Sequence, residues 1–86
     1  MANQSEGIKV KILSEDGILF EGFCGGMLVP SVRDKVAILP YHSPLIMLLG
    51  EGDIQIMNDG AFKDIAKAKK GILYVGDNEA TALINA

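Results

Sequence analysis

The chain has 86 residues, of which 49% are hydrophobic and 22% are charged, and its formal net charge is −3. This length allows a single domain, and the hydrophobic content argues against disorder. The eight basic residues form no cluster beyond Lys67, Lys69 and Lys70, which excludes general nucleic-acid binding because phosphate contacts need several basic residues on one face.

The N-terminal part of the chain predicts a β-hairpin after a polar lead-in. Residues 1–7 lack the basic start and apolar segment of a secretory signal, so we interpret them as a flexible lead-in before a domain at residues 8–86. Residues 8–12 alternate between Ile or Val and Lys, which is typical of a half-buried strand. A turn at residues 14–17, where Gly17 can adopt positive φ, leads to a second strand at residues 18–23.

The next segments predict three further strands. Glycines at positions 22, 25 and 26 indicate a bend or bulge before a strand at residues 27–30. A polar turn at residues 31–34 precedes a strand at residues 35–38. Residues 45–49 are apolar without alternation, so either both faces of that strand are buried or one face awaits a partner.

The C-terminal half predicts two hairpins. Asn58-Asp59-Gly60 is a strong turn signal between strands at residues 53–57 and 61–65. Residues 66–70 are interpreted as a connecting loop or strand end, and residues 76–78 as the turn between strands at 71–75 and 79–84. The sequence therefore predicts an all-β fold, a small antiparallel β-sandwich of about eight to ten strands. Its apolar runs are far shorter than the roughly 20 residues that a transmembrane helix needs.

The most informative loop lies between Pro40 and Pro44 and contains Tyr41, His42 and Ser43. Each proline fixes its own φ and restricts the residue before it, so the loop is predicted to be stiff. His42 is then either a hydrogen-bonded turn residue or a contact for a partner, and sequence physics favours the turn.

The inventory of reactive side chains argues against an enzyme. Cys24 and His42 are the only residues of their types, so no disulfide, metal-ligand set or catalytic triad is expected, and no cofactor. Cys24 lies among glycines and apolar residues, where a thiol is usually a small buried hydrophobe. A reducing compartment and a binding or structural role follow as expectations.

Three parts of the chain together resemble the epsilon subunit of the F-type ATP synthase. The first is residues 35–45, Lys-Val-Ala-Ile-Leu-Pro-Tyr-His-Ser-Pro-Leu, followed by Leu48 and Gly52-Asp53-Ile54-Gln55-Ile56. The second is residues 71–75 with Asn78 and Thr81-x-Leu83, and the third is Phe20-x-Gly22. The resemblance extends from Ile8 to Ala86.

The resemblance implies a non-catalytic rotor subunit at the foot of the central stalk, bound to the gamma subunit and resting on the ring of c subunits. It implies a peripheral location on the cytoplasmic face of a bacterial inner membrane, or its organellar equivalent, with membrane contact only through the complex. We expect Lys35, Tyr41, His42 and Ser43 near the c ring. We expect Leu45, Met47 and Leu48 to face gamma.

The chain departs from the family pattern at three places. Lys35 occupies a position that is commonly acidic, so a c-ring contact there would need a matching change of charge. Lys70-Gly71 stands where Gly-Gly is common. The helical hairpin that carries the family's inhibitory movement would follow Ala86, so neither that role nor ATP sensing can be assigned to these residues, whether the chain is naturally short or a piece.

The alternative is an unrelated small β-sandwich that binds a peptide or a carbohydrate. Such a module would expose aromatic side chains. Most of the five aromatic residues lie in strand patterns with core-like spacing, which predicts that they are largely buried; they are Phe20, Phe23, Tyr41, Phe62 and Tyr74.

Overall fold

The computed structural model describes residues 7–85, which form nine β-strands and no helix. The predicted lead-in falls, apart from Gly7, outside the described residues. The strands are β1 (Ile8–Ser14), β2 (Gly17–Cys24), β3 (Gly26–Pro30), β4 (Lys35–Ile38), β5 (Leu45–Leu49), β6 (Gly52–Asn58), β7 (Ala61–Ala68), β8 (Lys70–Gly76) and β9 (Glu79–Asn85). This architecture confirms the predicted all-β class and strand number.

The strands form two sheets that pack as a sandwich. One sheet has five strands in the order β2-β1-β9-β8-β5, and the other has four in the order β4-β3-β6-β7. All pairs are antiparallel except β1 and β9, which run parallel with Lys9 opposite Glu79 and Leu13 opposite Leu83. The parallel pair joins the first and last strands in the middle of the larger sheet.

The predicted turns and bends are found where expected. The chain passes from the larger to the smaller sheet at Gly25, whose N–H donates to the Met57 carbonyl oxygen at 2.8 Å. Asp59 and Gly60 both have positive φ in the β6–β7 turn, as a two-residue hairpin requires. Residues 66–68 continue β7, so the strand-end interpretation of this segment is confirmed.

The core lies between the inner faces of the two sheets. Strict alternation in β1 buries Ile8, Val10 and Ile12, while β8 and β9 contribute alternate residues in the same way. Cys24 is buried in this core, as expected. The buried hydrophobic residues are Ile8, Val10, Ile12, Cys24, Met27, Val29, Ile38, Leu49, Ile54, Ile56, Ala68, Leu73, Val75, Ala80, Ala82 and Ile84.

The prediction that most aromatic residues are buried is wrong. Only Phe20 packs against the core, whereas the other four are exposed on their strands or loop. In β2 and β8 the core-facing positions beside Phe23 and Tyr74 are taken by Cys24, Leu73 and Val75, and alternation turns the rings outward. The aromatics form no common platform, since Phe23 and Tyr74 are separated by two strands and Phe62 lies in the other sheet.

Candidate partner-binding surfaces

The loop between β4 and β5, residues 39–44, is a tight turn with an unusual backbone; we call it the contact loop. The His42 N–H donates to the Leu39 carbonyl oxygen at 3.2 Å, which closes a four-residue turn with Pro40 second and Tyr41 third. Tyr41 has φ of 62°. Proline second and positive φ third are the features of a type II turn, whose third position favours glycine. Tyr41 therefore holds a strained conformation.

The side chains of the contact loop differ in exposure and hydrogen bonding. The Nδ1 atom of His42 lies 2.8 Å from the Ser43 carbonyl oxygen, so the ring is engaged within its own loop, as the turn interpretation expects. Contact of His42 with a partner stays a prediction. Tyr41 is 65% exposed and Ser43 is also exposed. The loop thus presents Tyr41 and Ser43 to solvent beside a partly buried His42.

Lys35 does not join the contact loop. It begins β4 and pairs with Pro30, whereas the loop follows Ile38 at the other end of that strand. Its surroundings are the polar turn at residues 31–34 and the Glu51 loop, which line a separate shallow depression. The structure therefore brings Tyr41, His42 and Ser43 together but places Lys35 at the opposite end of the sandwich.

The outer face of the five-stranded sheet has a continuous apolar row. Leu48 lies opposite Ile72, Ile72 opposite Leu83, Leu83 opposite Leu13, and Leu13 opposite Ile18, so that each strand contributes one aliphatic side chain. We call these five residues the transverse row. Leu48, Leu83 and Ile18 are exposed and the other two are half-buried.

The row borders a groove that widens the apolar surface. The groove has a volume of about 580 Å³ and is lined by four residues of the row together with Val32 of the 31–34 turn. Glu15 and Lys70 lie among its lining residues and supply charge beside the apolar surface. Isolated exposed hydrophobic side chains are ordinary, but a contiguous apolar stretch rimmed by polar groups is typical of a docking surface.

Polarity changes along the outer face from one end to the other. The next row towards the contact loop contains Ile46, Tyr74, Thr81 and Lys11. Beyond it, Lys9 lies within 3.8 Å of Glu21 and 3.7 Å of Glu79. The order of these rows along the strands places the transverse row and the contact loop at opposite ends of the same sheet.

The three residues expected to face gamma divide between the two sides of β5. Leu45 and Met47 pack against the core, whereas Leu48 is 68% exposed. Ile46 is exposed to the same extent and faces outward with Leu48. Sequence reasoning missed Ile46 and the four members of the row other than Leu48, although the alternation of buried and outward residues in β8 and β9 could have located Ile72 and Leu83.

Within residues 7–85 no group of three or more His, Cys, Asp or Glu side chains could hold a metal ion. Burial raises the pKa of the Cys24 thiol, which donates a hydrogen bond to the Gly26 carbonyl oxygen at 3.2 Å. No helix in the described part of the chain could cross a membrane.

These features define a small β-sandwich protein whose distinctive surfaces suit binding to other macromolecules. A family model for the ATP synthase delta/epsilon chain β-sandwich domain matches residues 7–86. The chain therefore belongs to the ATP synthase delta/epsilon chain family, and it is not an unrelated sandwich.

Individual relatives agree with this assignment. The ATP synthase epsilon chain of Gluconacetobacter diazotrophicus is 35% identical over 76 residues, covering 88% of this chain and 54% of the relative. The epsilon chain of Nitratiruptor sp. is 30% identical over 77 residues, covering 90% and 60%. The chain thus spans little more than half the length of these relatives.

Solved structures share the fold at low sequence identity. A chain of the Euglena gracilis mitochondrial ATP synthase, in a structure of OSCP, F1 and c ring, matches with a TM-score of 0.82 at 13% identity over 96% of this chain and 53% of its own. A chain of the Tetrahymena thermophila mitochondrial ATP synthase central stalk and c ring matches with a TM-score of 0.71 at 15% identity, over 91% and 63%.

Proposed function

We propose that this chain is a non-catalytic rotor subunit of an F-type ATP synthase that links the gamma subunit to the c ring and so couples proton flow to ATP synthesis. The single observation that carries the proposal is the position of two unlike surfaces at opposite ends of one sheet. One is the apolar transverse row, and the other is the contact loop, which exposes Leu39, Tyr41 and Ser43.

The transverse row suits a permanent partner. Its side chains already lie on rigid strands, so their burial against gamma would cost little conformational entropy beyond that of the side chains. Apolar contacts of this kind favour stable association because the free energy gained is roughly proportional to the apolar area removed from water. We therefore assign gamma to Leu48 and the rest of the row, and add Ile46 as a neighbour.

The contact loop suits a second partner that binds at the same time. In β8, Gly76 at the loop end lies four positions after Ile72 in the row, a distance of about 13 Å along the strand. That separation supports simultaneous occupation of the two surfaces. We assign the c ring to Tyr41, His42 and Ser43, while Lys35, at the far end of β4, is the weakest member of the predicted group.

The proposal places the subunit on the cytoplasmic face of a bacterial inner membrane, or at the organellar equivalent, as a peripheral component of the complex. Contact with the membrane then occurs only through the c ring. The family assignment and the two mitochondrial structures that share this fold support membership of a membrane-associated complex.

The test is binding to gamma with matched charge substitutions on the two sheets. Leu48→Glu changes an exposed residue of the row, and Phe62→Glu changes a residue that is 51% exposed on the smaller sheet. We expect Leu48→Glu to weaken binding to purified gamma by about tenfold or more, since a buried unpaired carboxylate is costly in an interface. We expect Phe62→Glu to bind like the unmodified chain.

Thermal unfolding of both variants provides the folding control, since each substitution is at an exposed position. If the unmodified chain fails to bind gamma, the proposed function is wrong. If Leu48→Glu and Phe62→Glu bind equally well, gamma does not use the transverse row.

A further inference from the structure

We propose that Asn78 is the positioning residue of the contact loop, because its side-chain amide joins the strained Tyr41 turn to the start of the larger sheet. The expected effect of Asn78 on binding rests on the proposed function, in which the contact loop is the surface that meets the c ring. The structural part, that Asn78 orders the loop, stands on the contacts of Asn78 alone.

Both ends of the Asn78 amide are engaged. Its Oδ1 atom accepts a hydrogen bond from the Tyr41 N–H at 2.7 Å, and its Nδ2 group donates to the Gly7 carbonyl oxygen at 2.7 Å. The Asn78 carbonyl oxygen also accepts from the Lys9 N–H at 3.2 Å. One residue therefore connects the contact loop, the β8–β9 turn and the entry to β1.

The backbone of the β8–β9 turn explains why an asparagine can make these contacts. Asp77 and Asn78 have φ of 52° and 57° between the paired residues Gly76 and Glu79. Positive φ at both central residues is the pattern of a type I′ hairpin turn, in which asparagine is well tolerated. The turn thus presents the Asn78 amide towards a loop 37 positions earlier in the chain.

Asn78 contacts the loop at Tyr41, the residue whose backbone is strained. A non-glycine residue with positive φ is strained, and such a conformation persists only where its surroundings fix it. The turn's own hydrogen bond, from the His42 N–H to Leu39, is one constraint. The bond from Tyr41 to Asn78 is the second, and it ties the turn to a strand pair in the rigid sheet.

The test uses Asn78→Gly, which removes the amide but accepts the same positive φ. Asp77→Gly is the matched control, since it makes the same exchange at the neighbouring turn position with the same sign of φ. Asn78→Asp keeps an acceptor for Tyr41 but loses the donor to Gly7. All three are compared with the unmodified chain by amide hydrogen exchange and by binding of the gamma-bound subunit to purified c ring.

We expect Asn78→Gly to speed exchange at the Tyr41 and His42 amides by about fivefold or more, the usual worth of a hydrogen bond. Binding to the c ring should weaken by a similar factor, while binding to gamma stays unchanged. Asp77→Gly should match the unmodified chain in all three measurements. Asn78→Asp should fall between the two in exchange.

Two outcomes overturn the inference. If exchange at Tyr41 and His42 is the same in Asn78→Gly as in Asp77→Gly, Asn78 does not order the loop. If exchange is faster but c-ring binding is unchanged, or falls only together with gamma binding and thermal stability, Asn78 has a merely structural role. Failure of the unmodified complex to bind the ring would refute the ring contact instead, and the exchange measurement would still decide the role of Asn78 in the loop.

Discussion

Leu13 lies opposite Ile18, whereas its neighbour Ile12 lies opposite Phe20, so Leu19 is an extra residue in β2 without a partner in β1. This β-bulge decides which face Ile18 occupies. Without it, alternation from the inward Phe20 would place Ile18 on the inner face as well. The bulge therefore completes the transverse row at the edge of the sheet.

Deletion of Leu19 is expected to be tolerated. It would remove the bulge while leaving Leu13 opposite Ile18, so the free energy of unfolding should change by less than about 1 kcal/mol, as for other exposed positions. Deletion of Lys11, within the regular part of the β1 ladder, is the control and should unfold the domain because it turns Ile8 and Val10 to the other face. Chemical denaturation measures both; equal loss of stability would contradict the assigned register.

Gly71 is expected to be required although it lies within a strand. A Cβ atom there would collide with the Leu83 carbonyl oxygen and lie only 3.1 Å from the Ile84 Cα. Gly71→Ala should therefore destabilise the protein by about 1–3 kcal/mol, as overpacking does. Lys70, by contrast, is an ordinary strand residue paired with Asn85. Where the family pattern has two glycines, this chain therefore keeps the glycine of that pair at position 71, where a side chain would collide.

Gly76→Ala is the matched control for Gly71, since it lies in the same strand with nothing within 4 Å of the added Cβ. Its free energy of unfolding should differ from that of the unmodified chain by no more than about 0.5 kcal/mol. Comparable destabilisation by the two alanines in urea denaturation would show that close packing at Gly71 is not the cause.

Tyr41→Gly is expected to raise stability. Glycine relieves the positive-φ strain but increases the entropy of the unfolded chain, so the net gain should be up to about 1 kcal/mol. Ser43→Gly, at an exposed loop position without positive φ, should be neutral or destabilising. Thermal unfolding measures both variants, and a loss of stability in Tyr41→Gly would show that the tyrosine ring contributes more than its backbone costs.

Cys24 is expected to make stability fall at alkaline pH. The folded state holds the thiol proton more tightly than the unfolded state because burial raises the pKa of Cys24. The contribution of the protonated thiol to the free energy of unfolding is therefore complete below the pKa of the unfolded thiol. This contribution is lost as pH rises above about 8.5 towards the folded pKa. The free energy of unfolding, measured against pH, should fall more steeply there for the unmodified chain than for Cys24→Ala.

Labelling with iodoacetamide gives an independent measurement of the same thiol. The folded protein should react at neutral pH far more slowly than a Cys24→Ala chain that carries Ser43→Cys as an exposed thiol. Equal rates would mean that Cys24 is accessible in solution.

Local patterns in the sequence predicted much of the fold. Alternation in residues 8–12 identified the inner face of β1, and Asn58-Asp59-Gly60 located a hairpin. The contact loop, with its two prolines and His42, pointed to the family together with the short motifs at residues 52–56, 71–83 and 20–22. Each of these signals depends on residues close together in the chain.

Features that depend on distant residues were not predicted. The parallel pairing of β1 with β9, the bulge at Leu19 and the bond from Asn78 to Tyr41 all involve pairings that no local propensity encodes. The transverse row was missed for the same reason, since its five members come from five strands. Within β5, alternation alone puts Ile46 and Leu48 on one face, but only the burial of the opposite face shows that theirs is the outward one.

The parallel pairing of β1 and β9 has a mechanical consequence. The contact loop and the transverse row lie at opposite ends of the strands, so a force transmitted between them acts along the strand direction. In that geometry the hydrogen bonds of neighbouring strands are loaded together in shear, rather than opened one after another from an edge. Because β1 and β9 lie inside the larger sheet and carry evenly spaced bonds from Lys9 to Leu13, these bonds would share a load along the axis on which the proposed rotor contacts would pull.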